Sequence, residues 1–178
     1  MTDLFVDEYI NLPTVINLRS KFLENKAVGK FYVNLHVRRG DVEELGLNSN
    51  RYTSLSVIKN VLTNLCLILD TNRIKYEIQL FSQGEISDFK LLNQFPINYQ
   101  LNKSEIFTFN QLINSEILIT AKSSFSYTAA LLTSGLVFYE EFWHPPLSQW
   151  INFRRESQIS IEKKINEYLH KIKQKKIF

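Results

Sequence analysis

The segment FYVNLHVRRGD, residues 31–41, is an apolar, strand-like run that ends abruptly in one imidazole, two guanidiniums, a glycine and a carboxylate. Phe31, Val33, Leu35 and Val37 share one face at the two-residue period of a strand. Charges at the tip of a buried strand are costly unless something pairs or binds them. Arginine's planar fork is the side chain best suited to hold a phosphate at two points.

The rest of the chain alternates strands with helices. Residues 41–53 are polar and irregular, a loop. Ile58, Val61, Leu62, Leu65, Cys66 and Leu69 recur at helical spacing and predict an amphipathic helix over 54–70. A strand at 76–81 is broken by SQGE, a helix over 86–95 precedes Pro96, and a short strand follows at 99–101. A short helix at 109–114, a strand at 117–120 and a helix at 123–133 come next, with Gly135 placed as a C-terminal stop. A strand at 136–139 and a helix over 157–173 complete the pattern; the weakly patterned start suggests a short helix at 12–23 closed by Gly29. Such alternation implies an α/β fold, a Rossmann-like parallel sheet with helices on both faces. With 44% apolar residues in 178, the chain can bury one sizeable core. The expected division is an N-terminal extension (1–30), an α/β domain (31–156) and a basic C-terminal helix (157–178).

The formal charge is only +3, and Lys171, Lys173, Lys175 and Lys176 concentrate the surplus at the C-terminus, so a nucleic-acid partner is not indicated. Cys66 is the single cysteine, which excludes an intrachain disulfide and a Cys-based zinc site. Neither a leader-like start nor a run of about 18 apolar residues is evident, so a cytoplasmic location is expected. The lysine-rich face of the last helix adds a weak membrane-surface contact to the expected partners.

Three unusual segments follow predicted strands: HVRRGD, SQGE (82–85) and AKSSFSY (121–127). In a parallel α/β sheet, ligands bind beyond the carboxyl ends of the strands. Arg38, in phase with His36, is the candidate phosphate ligand, while Arg39 is expected to pair with Asp41 or another carboxylate and brace the loop. The strand-to-helix junction at Ser123, Ser124 and Ser126 would offer free first-turn amides to an anion, with Lys122 beside it, although for this motif taken alone ordinary N-capping by Ser123 or Ser124 is the better explanation. Ser82, in the SQGE turn, could meet a base or ribose. Glu140, Glu141 and His144 lack a spacing that would define a metal site. Trp143, Pro145, Pro146 and Trp150 read as packing in a rigid turn.

HVRRGD resembles the H-x-R-R-x-D signature of fucosyltransferases of the α1,2/α1,6/protein-O-fucosyltransferase group, and LITAKSSFSYTAALLTSGLVFY is similar to their downstream signature. The resemblance covers roughly residues 31–150. It implies the C-terminal, nucleotide-sugar-binding half of a GT-B glycosyltransferase that takes GDP-fucose or a related GDP-sugar without a metal or other cofactor and transfers the sugar to a glycan acceptor with inversion. By position, Arg38 corresponds to the arginine on the β-phosphate, where it would stabilise the departing diphosphate. His36 corresponds to the histidine near the nucleotide, and Ser123, Ser124 and Phe125 to the diphosphate turn. Arg39 and Ser82 complete the expected binding set. No general base is evident, and Glu43 and Glu44 are the candidates by position. About 30 residues precede the motif strand, too few for the family's other half, and Val42 stands where some relatives carry lysine. A second chain supplying the acceptor side is therefore an expected partner, and a non-catalytic nucleotide-sugar-binding remnant is the alternative. A phosphatase or mutase ranks below both, because no histidine stands beside the arginines as a nucleophile.

Overall fold

A computed structural model of the protein describes residues 12–14, 16, 17, 20, 30–42, 44 and 49–174. The helix expected at 12–23 and its stop at Gly29 fall largely outside the described residues, as does Glu43.

Six parallel strands form one sheet: β1 (Tyr32–His36), β2 (Glu77–Ser82), β3 (Ile97–Leu101), β4 (Ile117–Ile119), β5 (Leu136–Tyr139) and β6 (Ile151–Asn152). The α-helices that accompany the sheet after β1 are α1 (Leu55–Thr71), α2 (Glu105–Ile113), α3 (Ser124–Leu132) and α4 (Gln158–Gln174). The strand order is β3-β2-β1-β4-β5-β6. From β1 the chain adds strands outward on one side, then returns to add the rest on the other. Parallel crossovers are right-handed, so helices must change faces where that direction reverses. The core residues obey this. Val33 and Leu35 of β1 pair with Ile78 and Leu80 of β2 and with Ile117 and Ile119 of β4. Their side chains share a core with Ile58, Leu62, Leu65 and Leu69 of α1 and Ile161, Ile165, Leu169 and Ile172 of α4. The opposite face carries Phe81, Leu118, Val137 and Tyr139 against Leu112 and Ile113 of α2 and Ala129, Ala130 and Leu132 of α3.

Several expectations shift in detail. The segment at 86–95 is not an α-helix but a 3-10 helix, Ile86–Leu92, whose backbone kinks at Phe89. Gly84 (φ +108) opens that turn, and Glu85 and Asp88 close a reciprocal capping box. The helix expected at 109–114 begins earlier, at Glu105, because the Ser104 side chain caps it by accepting from the Phe107 amide. The two-residue strand β6 had no sequence signal; it exists only by pairing with Phe138 and Tyr139. Ser49–Thr71 is long and apolar enough to cross a membrane by length and composition, contrary to the expectation above. Its helical part, α1, nevertheless places Ile58, Leu62, Leu65, Ile68 and Leu69 in the sheet's core.

Candidate functional site

Between β1 and β4 the order of strand addition reverses, which opens a crevice at their carboxyl ends. HVRRGD leaves β1 on one side of that crevice and AKSSFSY leaves β4 on the other. Their side chains meet: Arg38 Nη1 donates to Ser123 Oγ at 3.2 Å. Strand alternation explains the aim. Asn34, His36 and Arg38 lie on the α2/α3 face, where Asn34 Nδ2 donates to the Gln111 carbonyl at 2.6 Å and the His36 ring lies 5.6 Å from that of Phe125.

Ser123 is the N-cap residue of α3, yet its hydroxyl makes no capping bond. Instead that hydroxyl faces Arg38. The amides in the first turn of α3 have no intrahelical acceptor, and the helix dipole adds positive potential there. A guanidinium and a helix N-terminus thus converge on one crevice, an arrangement suited to an anion. Ser126 is fully buried and locks the turn, with its hydroxyl bonding to the Ala121 amide and carbonyl at 3.2 Å.

The third motif joins through the Gln83 side chain, which lies against Gly40. Gly40 (φ +88) has a backbone conformation that strains any side chain, and a Cβ there would sit 2.1 Å from the Gln83 side-chain oxygen, which would have to move. Ser82 ends β2 and donates to the Gln83 carbonyl at 3.0 Å, bracing the turn.

The pairing of Asp41 differs from expectation. Arg38, not Arg39, takes it: Arg38 Nη2 lies 2.6 Å from Asp41 Oδ2. Arg38 holds the Asp41 carboxyl below its ordinary pKa, chiefly by that hydrogen bond. Arg39 points elsewhere because neighbouring residues at a strand end face opposite ways. It donates to the Arg38 and Thr53 carbonyls at 2.7 and 3.1 Å and lies 4.2 Å over the Tyr52 ring. It does brace the loop, through carbonyls and an aromatic face. The Asp41 side chain is 50% exposed. Of the five guanidinium N–H groups of Arg38, Ser123 and Asp41 engage two, and Nε is buried without a partner.

Glu140, at the end of β5, is a second hub that sequence reasoning set aside with the metal question. Its buried carboxylate accepts from Thr53 Oγ1 and from Arg154 Nε at 2.7 Å, with Lys122 Nζ at 3.4 Å. The signal was available: a carboxylate directly after an apolar strand raises the same question as HVRRGD. His144 lies near the serine turn, its Nε2 2.9 Å from Ser124 Oγ and its ring stacked at 4.6 Å on Tyr127. Trp150 is buried as expected, whereas Trp143 is exposed and carries the Arg51 guanidinium 5.3 Å over its ring. Glu44 is exposed in the loop beyond Asp41. No group of three or more His, Cys, Asp or Glu that could hold a metal ion occurs among the described residues. In these contacts Arg38, Arg39, Arg51, Lys122 and Arg154 gather around Asp41 and Glu140, while the Glu44 and Asp88 charges also act on Arg39.

His36 Nδ1 is buried with no partner, and desolvation, aided by the Arg38 charge, lowers its pKa to about 4. The imidazole is therefore neutral at pH 7. Because the unfolded chain takes up this proton near pH 6.5, it binds more protons than the folded chain between pH 6.5 and 4. Stability should fall as pH drops through that window, by at most roughly 3 kcal/mol. Denaturant unfolding at pH 7 and pH 4.5 should show the loss, and His36→Phe should flatten it; an unchanged slope in the variant refutes the assignment.

No protein-family model matches the chain, and no curated protein sequence does. Among solved structures, E. coli heptosyltransferase WaaC with ADP superposes with a TM-score of 0.52 at 13% identity, over 86% of this chain and 48% of that one. POFUT1 in complex with GDP covers 69% of this chain and 44% of its own at 12% identity, with a TM-score of 0.39, too loose a superposition for comparing sites. The chain has a Rossmann-like α/β fold similar to that of the heptosyltransferase and spans about half of that protein's length.

Proposed function

We propose that this chain binds a nucleotide-sugar, GDP-fucose or a related GDP-linked sugar, and takes part in transferring the sugar to a glycan acceptor with inversion. The observation that carries the reading is the 3.2 Å contact of Arg38 with Ser123 across the crevice where the strand order reverses. A diphosphate there would lie between the free N–H groups of Arg38 and the first-turn amides of α3. Charge develops on the diphosphate as the sugar leaves, and donors fixed before reaction stabilise it without reorganisation. Neutral His36 and Phe125 would floor the nucleotide side, with Ser124 and Ser82 as further hydrogen-bonding groups and Arg39 holding the loop. Glu43 and Glu44 of the loop after the motif are the carboxylates proposed to take the acceptor's proton. In this proposal a second chain supplies the acceptor surface; the present sequence spans 48% of the heptosyltransferase's length. No metal is required in this scheme, since Arg38 and the helix N-terminus supply the positive charge.

The test is incubation of the protein with GDP-fucose and glycan acceptors, with released GDP as the readout. The expected result is acceptor-stimulated release that Arg38→Ala abolishes. Binding without release would assign the chain to the non-catalytic alternative. ADP belongs in the same titration, as the nucleotide of the heptosyltransferase complex; failure of both nucleotides to bind would overturn the reading.

A further inference from the structure

We infer that Arg51 is a second diphosphate-binding guanidinium, one that shares the Asp41 carboxylate with Arg38 and turns to the ligand when it arrives. This rests on the reading of the crevice as a diphosphate site. Arg51 ends a 3-10 turn, Ser49–Arg51, closed by the Tyr52 amide donating to the Ser49 carbonyl at 3.0 Å. Its backbone is anchored from the residues that follow. The Tyr52 ring lies beneath Arg39, the Thr53 carbonyl accepts from Arg39, and the Thr53 hydroxyl donates to Glu140. Thus the turn is tied both to the loop after β1 and to the end of β5, and Arg51 is held at the same carboxyl edge as Arg38.

The guanidinium placed there is poorly satisfied. Its side chain is only 19% exposed, and Nη1 lies 3.8 Å from Asp41 Oδ2, too far for a hydrogen bond. That same oxygen already takes Arg38 at 2.6 Å. Arg51 Nε is buried without a partner, and the Trp143 face orients the cation but accepts no N–H in its plane. Among the described residues, then, a largely buried cation with five donors makes no side-chain hydrogen bond. One carboxylate also cannot neutralise two guanidiniums. Burying a charge without acceptors is costly, and an anion of more than one charge, with oxygens on two neighbouring phosphorus atoms, would satisfy both arginines together. A diphosphate brings more charge and more acceptor oxygens to the two arginines than a monophosphate does.

Calorimetric titration of GDP, GMP and inorganic pyrophosphate against the wild type, Arg51→Ala and Arg51→Lys tests this. Each lost charge-assisted hydrogen bond is worth enough that Arg51→Ala should weaken GDP and pyrophosphate about tenfold or more. GMP should change far less, so the preference for GDP over GMP collapses. Lysine restores charge without the fork, and Arg51→Lys should recover only part of the loss, which also keeps the test valid if the alanine variant folds poorly. A folded Arg51→Ala protein that keeps wild-type affinity for GDP, or loses GDP and GMP equally, overturns the role of Arg51 while the crevice reading stands. If the wild type itself takes up neither GDP nor pyrophosphate, the crevice reading fails and the role of Arg51 fails with it.

Discussion

Arg38→Ala should abolish high-affinity GDP binding while leaving the fold in place. The side chain is expected to give at least two charge-assisted hydrogen bonds to the diphosphate, and at about 1.5–3 kcal/mol each their loss weakens binding by roughly 100-fold or more. Its contribution to stability is smaller, because the ion pair with Asp41 is half open to solvent and such pairs are worth about 1 kcal/mol or less. Calorimetry with GDP, beside a denaturant midpoint for each protein, separates the two effects. Ser123→Ala is a useful companion. It removes the hydroxyl that receives Arg38 Nη1 but leaves the helix amides, and a loss much smaller than that of Arg38→Ala is expected. Wild-type affinity in a folded Arg38→Ala protein would remove this arginine from the site.

The largest effect on stability should come from Glu140→Ala. The side chain is 3% exposed and accepts from Arg154 and Thr53, with Lys122 alongside. Truncation leaves Lys122, itself 17% exposed, and the Thr53 hydroxyl facing a void without an acceptor. Removing one partner from a buried ion pair strands the other, a loss of about 3 kcal/mol or more. Glu140→Gln keeps an acceptor oxygen and should recover part of it. Guanidinium unfolding curves measure both; a shift under about 1 kcal/mol for the alanine variant would show that the cations relax into water instead. GDP affinity should also drop in Glu140→Ala, since Thr53 then loses its tether to β5 and the neighbouring Arg51 turn loosens.

Much of this architecture could be read from periodicity. The odd-numbered apolar residues of 31–37 all enter one core, and the stripe Ile58, Leu62, Leu65 and Leu69 does dock α1. These signals are local, set by the side-chain period of a single element. What escaped was non-local. Nothing in the loop 41–53 marks Arg51 as special; it reaches the crevice only because the chain folds back from β1 into α1 past the end of β5. The choice of Arg38 over Arg39 as the residue facing the crevice follows from strand alternation, whereas the partner of Asp41 depended on a bend at Gly40 that alternation does not describe. The serine turn shows a further limit. Sequence alone could not separate N-capping from a role across the crevice, and the geometry separates them, since the Ser123 hydroxyl meets Arg38 and caps nothing. Strand β6 could not be foreseen either, because two residues carry no period.

The most direct measurement is a crystal structure of the protein grown with GDP. The expected complex has the diphosphate in the crevice between β1 and β4, with phosphate oxygens within hydrogen-bonding distance of Arg38 and of the amides that open α3. A nucleotide lodged elsewhere, with the Arg38 guanidinium still held by Asp41 and Ser123 alone, would contradict the assignment.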